Sequence, residues 1–226
     1  MYGILHFVDN CSHLLGAKFF ALEGSTVTVT TDRKYSNDAR ITSKDELREL
    51  IGMPHEAVVK KTIDRIDAHV RHYLTLCPLF LLATSDSQGR CDVSPRGDGP
   101  GFVRVLDERT LFYPERTGNR RVDSLMNMLD NPQVGMLLLI PGLQEVVRIN
   151  GRAELTKSEE LLQGSAGKHS GIGVVVRVEE VFVHCPRALK FSGIWNAGSW
   201  PDKEALPSIA DMFRAHLQIS GYVHEE

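Results

Sequence analysis

The chain has 226 residues, a formal net charge of −3 and 42% hydrophobic residues. That is enough for a large domain with a sizeable core. It lacks the basic excess of a general nucleic-acid or membrane-surface binder. The longest apolar run, Val134 to Ile140, is far too short to span a bilayer, and the first residues show no basic and apolar regions of a secretory signal. Cys11, Cys77, Cys91 and Cys185 are scattered and form no CxxC pair, so they are expected as reduced thiols of a cytoplasmic protein rather than a zinc site or a disulfide framework.

Residues 1 to 40 are an N-terminal extension without assignment, in which Val27 to Thr31 is a candidate strand. From residue 41 to 226 the pattern is that of one domain with helical segments at both ends. Ser43 and Glu46 fit a capping box opening a short helix to about Ile51, which Gly52 and Pro54 end. Val59, Ile63, Ile66, Val70 and Leu74 share one face of a helix predicted over Glu56 to Leu76. Then the period changes to that of strands. Leu79 to Thr84 turns at Ser85 to Gly89 into Cys91 to Ser94. Phe102 to Leu106 with Thr110 to Tyr113, and Val134 to Ile140 with Glu145 to Leu155, read as two further hairpins. A helix is predicted over Asn119 to Leu129, a last long strand over Ile172 to His184, and closing helices around Arg187 to Phe191 and Leu206 to Ile219. Many short antiparallel strands favour a barrel or sandwich over a doubly wound sheet.

Two features point to chemistry. Gly118-Asn119-Arg120-Arg121-Val122-Asp123-Ser124 places two arginines where a strand gives way to a helix. A helix start offers free N–H groups and positive potential, so this is a candidate phosphate site, with a solvated helix start as the alternative. Ser94-Pro95-Arg96-Gly97-Asp98-Gly99-Pro100-Gly101-Phe102 reads as a stiff loop. Its backbone could approach a flat ring, with Ser94 and Arg96 as side-chain donors; a plain connecting loop is the alternative. Neither a GxGxxG fingerprint, nor a phosphate loop around Gly167-Lys168, nor GxSxG, nor HExxH is present. His69 and His72 lie three apart on the long predicted helix without a third ligand, so no metal site is expected.

Taken in order, several motifs resemble those of the FMN-binding split-barrel family related to pyridoxamine 5'-phosphate oxidase. They are Leu82 to Arg90, Ser94 to Asp98, Pro100 to Phe102, Gly118 to Arg121, His184 to Ala188 and Ile194-Trp195. The resemblance spans about Thr42 to Ile219 and is closest to a bacterial subgroup with SPRGD, GNRR and HCxRA motifs. It implies an α+β fold, a split antiparallel β-barrel with flanking helices. It also implies a homodimer with FMN at the interface, and oxidoreductase chemistry on a small substrate, for which a flavin supplies the electron sink. Residue by residue, it implies Arg120 and Arg121 on the FMN phosphate with Asn119 beside them, and Ser94, Pro95, Arg96 and Gly97 along the ring. Tyr113 falls at the aromatic strand end beside the flavin, and Arg148 on a strand that carries a polar ring contact. His184, Arg187, Lys190 and Trp195 are expected on the substrate side. The Arg- and His-bearing C-terminal motif of true pyridoxamine-phosphate oxidases is missing, which argues against vitamin B6 as substrate. The alternatives are a non-catalytic flavin or haem binder of this fold, with His184 as axial-ligand candidate, and an F420-dependent reductase.

Overall fold

The computed structural model describes residues 39–223 apart from 166 and 168, so the candidate strand Val27 to Thr31 and Cys11 lie outside the described residues. The chain divides into two compact units, one ending at Pro54 and one running from His55. In the first, helix α1 (Lys44–Ile51) is capped by Ser43, whose Oγ accepts the Glu46 N–H at 3.0 Å. The reciprocal half of the capping box is shifted by one residue: Glu46 Oε2 accepts from the N–H of Thr42 at 3.0 Å, not from Ser43.

The second unit is built on seven antiparallel strands: β1 (Leu79–Ser85), β2 (Cys91–Gly97), β3 (Arg104–Asp107), β4 (Thr110–Pro114), β5 (Gln133–Leu139), β6 (Val146–Thr156) and β7 (Gly173–His184). Their order in the sheet is β2-β1-β5-β6-β7-β4-β3. The three expected hairpins form, and β7 joins them by pairing with β6 on one side and β4 on the other. Alternation decides which residues face inward. Phe80 and Leu82 of β1, Met136 and Leu138 of β5, Ile149 of β6 and Val174 and Val176 of β7 are buried together. The sheet curls until its two ends meet through side chains. Phe80 stacks on Phe102 just before β3 (5.6 Å between centroids) and meets Tyr113 of β4 edge-on (5.0 Å). No ladder joins β2 to β3, so the barrel is split along that line.

The helix expected over Glu56 to Leu76 is instead two: α2 (Glu56–Lys60) and α3 (Ala68–Leu76). Between them Ile63 exchanges both backbone hydrogen bonds with Val181 of β7 (3.0 and 2.7 Å), which is strand geometry, and Asp67 then caps α3 through the Val70 N–H. Ile66, Val70 and Leu74 are buried as the apolar spacing required, whereas Val59 stays exposed. Helix α4 (Asp123–Asp130) buries Ser124, Leu125 and Met128 and is tied to β1 by Asn127 donating to Thr84 Oγ1 (3.0 Å). A further helix, α5 (Glu159–Gln163), was not foreseen; Ser158 caps it. Helices α6 (Arg187–Ser192) and α7 (Ile209–Ile219) follow the barrel, with two 3-10 turns between them. Among the described residues no helix is long and apolar enough to cross a membrane. The bulge lies in β7, where Glu179 is the extra residue opposite Asn150 and Gly151; β6 needs its glycine there, because a Cβ on Gly151 would strike the Arg177 carbonyl.

Candidate functional site

A cavity of about 600 Å³ lies in the split of the barrel. One wall is β2, contributing Asp92, Ser94, Pro95, Arg96 and Gly97; the other runs from Pro114 at the end of β4 to Leu125 in α4. The two segments that the sequence singled out, with residues 103–117 between them, thus face each other. Ser94, Pro95, Arg96, Gly97, Asn119, Arg120 and Arg121 all line it.

The glycine-rich wall differs from the expected loop. Ser94 to Gly97 belong to β2, which continues past Ser94, and the loop begins at Asp98. Proline is tolerated because β2 is an edge strand and needs hydrogen bonds on one side only. Alternation then sends Asp92, Ser94 and Arg96 to the cavity side, while Val93 and Pro95 face away and are exposed. Arg96 is fixed from several directions. Its Nε donates to Glu115 Oε2 at 3.1 Å, and its Nη1 donates to Ser94 Oγ at 2.8 Å and to the Pro95 carbonyl at 3.2 Å. With side chains only 18% and 15% exposed, the Arg96–Glu115 pair closes the split where no backbone ladder does.

The arginine-bearing wall begins its helix later than expected, at Asp123 instead of Asn119. Arg120 (φ 67°) and Val122 (φ 52°) both adopt the left-handed conformation, unusual for non-glycine residues and costly for a β-branched one. Val122 is the N-cap residue and supplies no side-chain acceptor to the first turn. The helix start therefore opens toward the cavity with its dipole and N–H groups unspent. The arginines are unequal. Arg121 Nε donates to Asp123 Oδ2 at 2.8 Å, and that hydrogen bond and charge, with Asp92 adding to them, push its pKa above the ordinary value. Arg116 pairs with Asp98. Arg120, exposed on the cavity wall, has no hydrogen-bond or ion-pair partner among the described residues.

Other expected site residues lie elsewhere. Tyr113 is fully buried in the core against Phe80, and its hydroxyl has no hydrogen-bond partner among the described residues. Burial, and then the charge of Glu115, push its pKa up. It is Pro114, the next residue, that reaches the cavity. Arg148 points to the outside of the barrel, over the Phe182 ring at 5.4 Å and bonded to Asn150. His184 stacks on the same Phe182 (5.9 Å). Trp195 donates its indole N–H to the Leu143 carbonyl at 3.0 Å, and Arg187 and Lys190 sit on α6. None of these six residues lines the cavity of its own chain. Sequence reasoning missed Asp92 and Glu115, and it named Phe102 and Ser124 only as the ends of the two segments, with no role of their own. Period-two spacing with Ser94 and Arg96 would have shown Asp92, had β2 been carried through the proline.

A split antiparallel barrel with flanking helices and a basic cleft in its split defines the class. A model of the family described as pyridoxamine 5'-phosphate oxidase matches residues 66–185, and the chain belongs to that family. No curated protein matches the chain in sequence. Solved structures that resemble it include HupZ of Group A Streptococcus, 22% identical over 52% of this chain and 93% of that one, with a TM-score of 0.42. A candidate pyridoxamine 5'-phosphate oxidase from Lactobacillus delbrueckii is 23% identical over 53% and 95%, TM-score 0.43. HutZ, the haem storage protein of Vibrio cholerae, is 17% identical over 53% and 94%, TM-score 0.36.

Proposed function

We propose that the protein is a flavoprotein that binds FMN in the split-barrel cavity and acts as an oxidoreductase on a small molecule. The observation that carries this is the cavity itself: Arg120, without a partner among the described residues, and a helix start without a side-chain cap stand at one wall, and the edge strand β2 forms the other. The residues present fit the group. A dianionic phosphate matches Arg120, Arg121 and the open first turn of α4. A planar ring matches the β2 wall with Phe102 and Ile172 supplying apolar surface. The bound flavin would supply two-electron chemistry; the chain's part is to hold it, orient it and exclude water. Among the described residues no group of three or more metal-ligating side chains gathers to offer another centre.

A homodimer is part of this reading. The outward face of the barrel carries Leu81 and Ala83 of β1, Pro95 and Val93 of β2 and Leu137 of β5 in adjacent register, with Val93 63% exposed. A contiguous apolar sheet face asks for cover, and a second copy would bring Arg148, Phe182 and His184, idle toward their own cavity, up to this one. Vitamin B6 is not proposed as substrate. The test is the visible spectrum after incubation with FMN and desalting, with molar mass by light scattering. Retained flavin bands in a dimer support the reading. A colourless protein that does not quench FMN fluorescence refutes it, and a Soret band with added haem, lost in His184→Ala, would put haem in its place.

A further inference from the structure

Strand β2 and the first turn of α4 share a hydrogen-bond chain whose direction is set by its ends. A guanidinium can only donate, and an ionised carboxylate can only accept. Arg96 Nη1 donates to Ser94 Oγ (2.8 Å), the Ser94 and Ser124 hydroxyls lie 2.9 Å apart, and Ser124 donates to Asp92 Oδ2 at 2.6 Å. Each serine has one proton. Ser124 gives its proton to Asp92, so Ser94 gives its own to Ser124. In the other allocation Ser94 turns directly to Asp92 Oδ2 at 3.5 Å, which also uses the Ser94 proton within the protein and leaves none for a ligand. Ser124 is 3% exposed, so water has little access to reverse the order. Ser94 therefore meets a ligand as an acceptor, opposite to the donor role expected from the sequence. Beside it, Arg96 has spent Nε and Nη1, and its Nη2 has no partner among the described residues. The wall offers an acceptor next to a donor.

We propose that Ser94 and Arg96 read a cyclic-amide edge, an N–H beside a C=O, and that Asp92 and Ser124 are positioning residues that fix this polarity. The inference rests on the flavin reading and deepens it. The pyrimidine-dione end of a flavin has such an edge; the rim of a porphyrin carries alkyl groups and carboxylates and no N–H donor.

The test compares FMN with FMN methylated on its imide nitrogen, by fluorescence quenching. For the wild-type protein the methylated compound should bind about tenfold more weakly, the loss expected when a buried acceptor goes unmet. Ser94→Cys keeps the bulk but accepts poorly, so it should bring the ratio of the two dissociation constants close to one. Asp92→Asn, whose amide can donate to Ser124 and turn the chain round, should lower the ratio too. A merely structural role would weaken both ligands equally and leave the ratio unchanged in the variants. A wild-type ratio near one overturns the proposal whether or not the variants fold. So does a ratio that survives Ser94→Cys, since bulk rather than hydrogen bonding would then be excluding the methyl group. An unchanged ratio in Asp92→Asn removes Asp92 from the positioning role. All these outcomes leave the flavin reading standing. Failure of FMN itself to bind overturns both.

Discussion

Replacing Arg120 by alanine should weaken FMN binding far more than riboflavin binding. Arg120 stands on the cavity wall without a partner among the described residues, so its donors are available to a phosphate. A hydrogen bond to a charged group contributes about 1.5–3 kcal/mol, which is roughly a 10- to 150-fold loss in affinity. Arg121 starts from a different position. Its side chain is 74% exposed and already bonded to Asp123, so it must exchange one partner for another. Its replacement should cost about three- to tenfold, as exposed ion pairs contribute little. Riboflavin lacks the phosphate and should bind each variant like the wild type. Fluorescence titration of both ligands against wild type, Arg120→Ala and Arg121→Ala measures this directly. The reasoning is refuted if Arg120→Ala leaves the FMN-to-riboflavin preference unchanged, or if Arg121→Ala erodes it more.

Tyr113→Phe removes a buried hydroxyl that has no partner among the described residues, so the unfolding free energy should hold or rise by about 1 kcal/mol in urea titration; a clear loss would mean that the hydroxyl is satisfied after all. Val122→Gly relieves a left-handed φ at an exposed β-branched residue, and the relief should offset the entropy cost of glycine, leaving the unliganded protein within about 1 kcal/mol of wild type or above it. In native protein Cys91 and Cys185, both exposed, should react with a thiol reagent at once, whereas Cys77 should react only on unfolding. Burial raises the Cys77 pKa above its ordinary value of 9.0. A folded pKa above the unfolded one means that its contribution to stability is complete below about pH 9 and is lost as pH rises toward the folded value. Cys77→Ser, which lacks the thiol titration, should flatten that alkaline decline in a pH series of denaturation curves.

How much the sequence revealed depended on whether a signal was local. The hairpins β1–β2, β3–β4 and β5–β6 follow from alternating apolar residues and turn residues between them, so they were legible with small errors at the ends. The arginine pair before α4 was legible for the same reason: residue type and a strand-to-helix junction stand side by side in the chain. The long helix over Glu56 to Leu76 was not a helix because Ile63 found a partner in Val181, more than a hundred residues away. Helical spacing cannot register a competing strand pairing. Pro95 concealed the length of β2, since only the sheet order shows that β2 is an edge where proline costs no ladder bond.

What the sequence alone determined is the inventory: an antiparallel, hairpin-rich domain, two chemically suggestive segments, and family motifs in the right order. The tertiary structure decided which of those residues meet. It put Tyr113 in the core and Arg148 on the outer face, because one step along a strand reverses the direction of a side chain. It brought Asp92 and Ser124 to 2.6 Å and Arg96 to Glu115 across the open seam of the barrel. Those contacts join segments distant in sequence, and no local propensity encodes them; they exist because the curled sheet leaves β2 unpaired on one side and side chains close the gap.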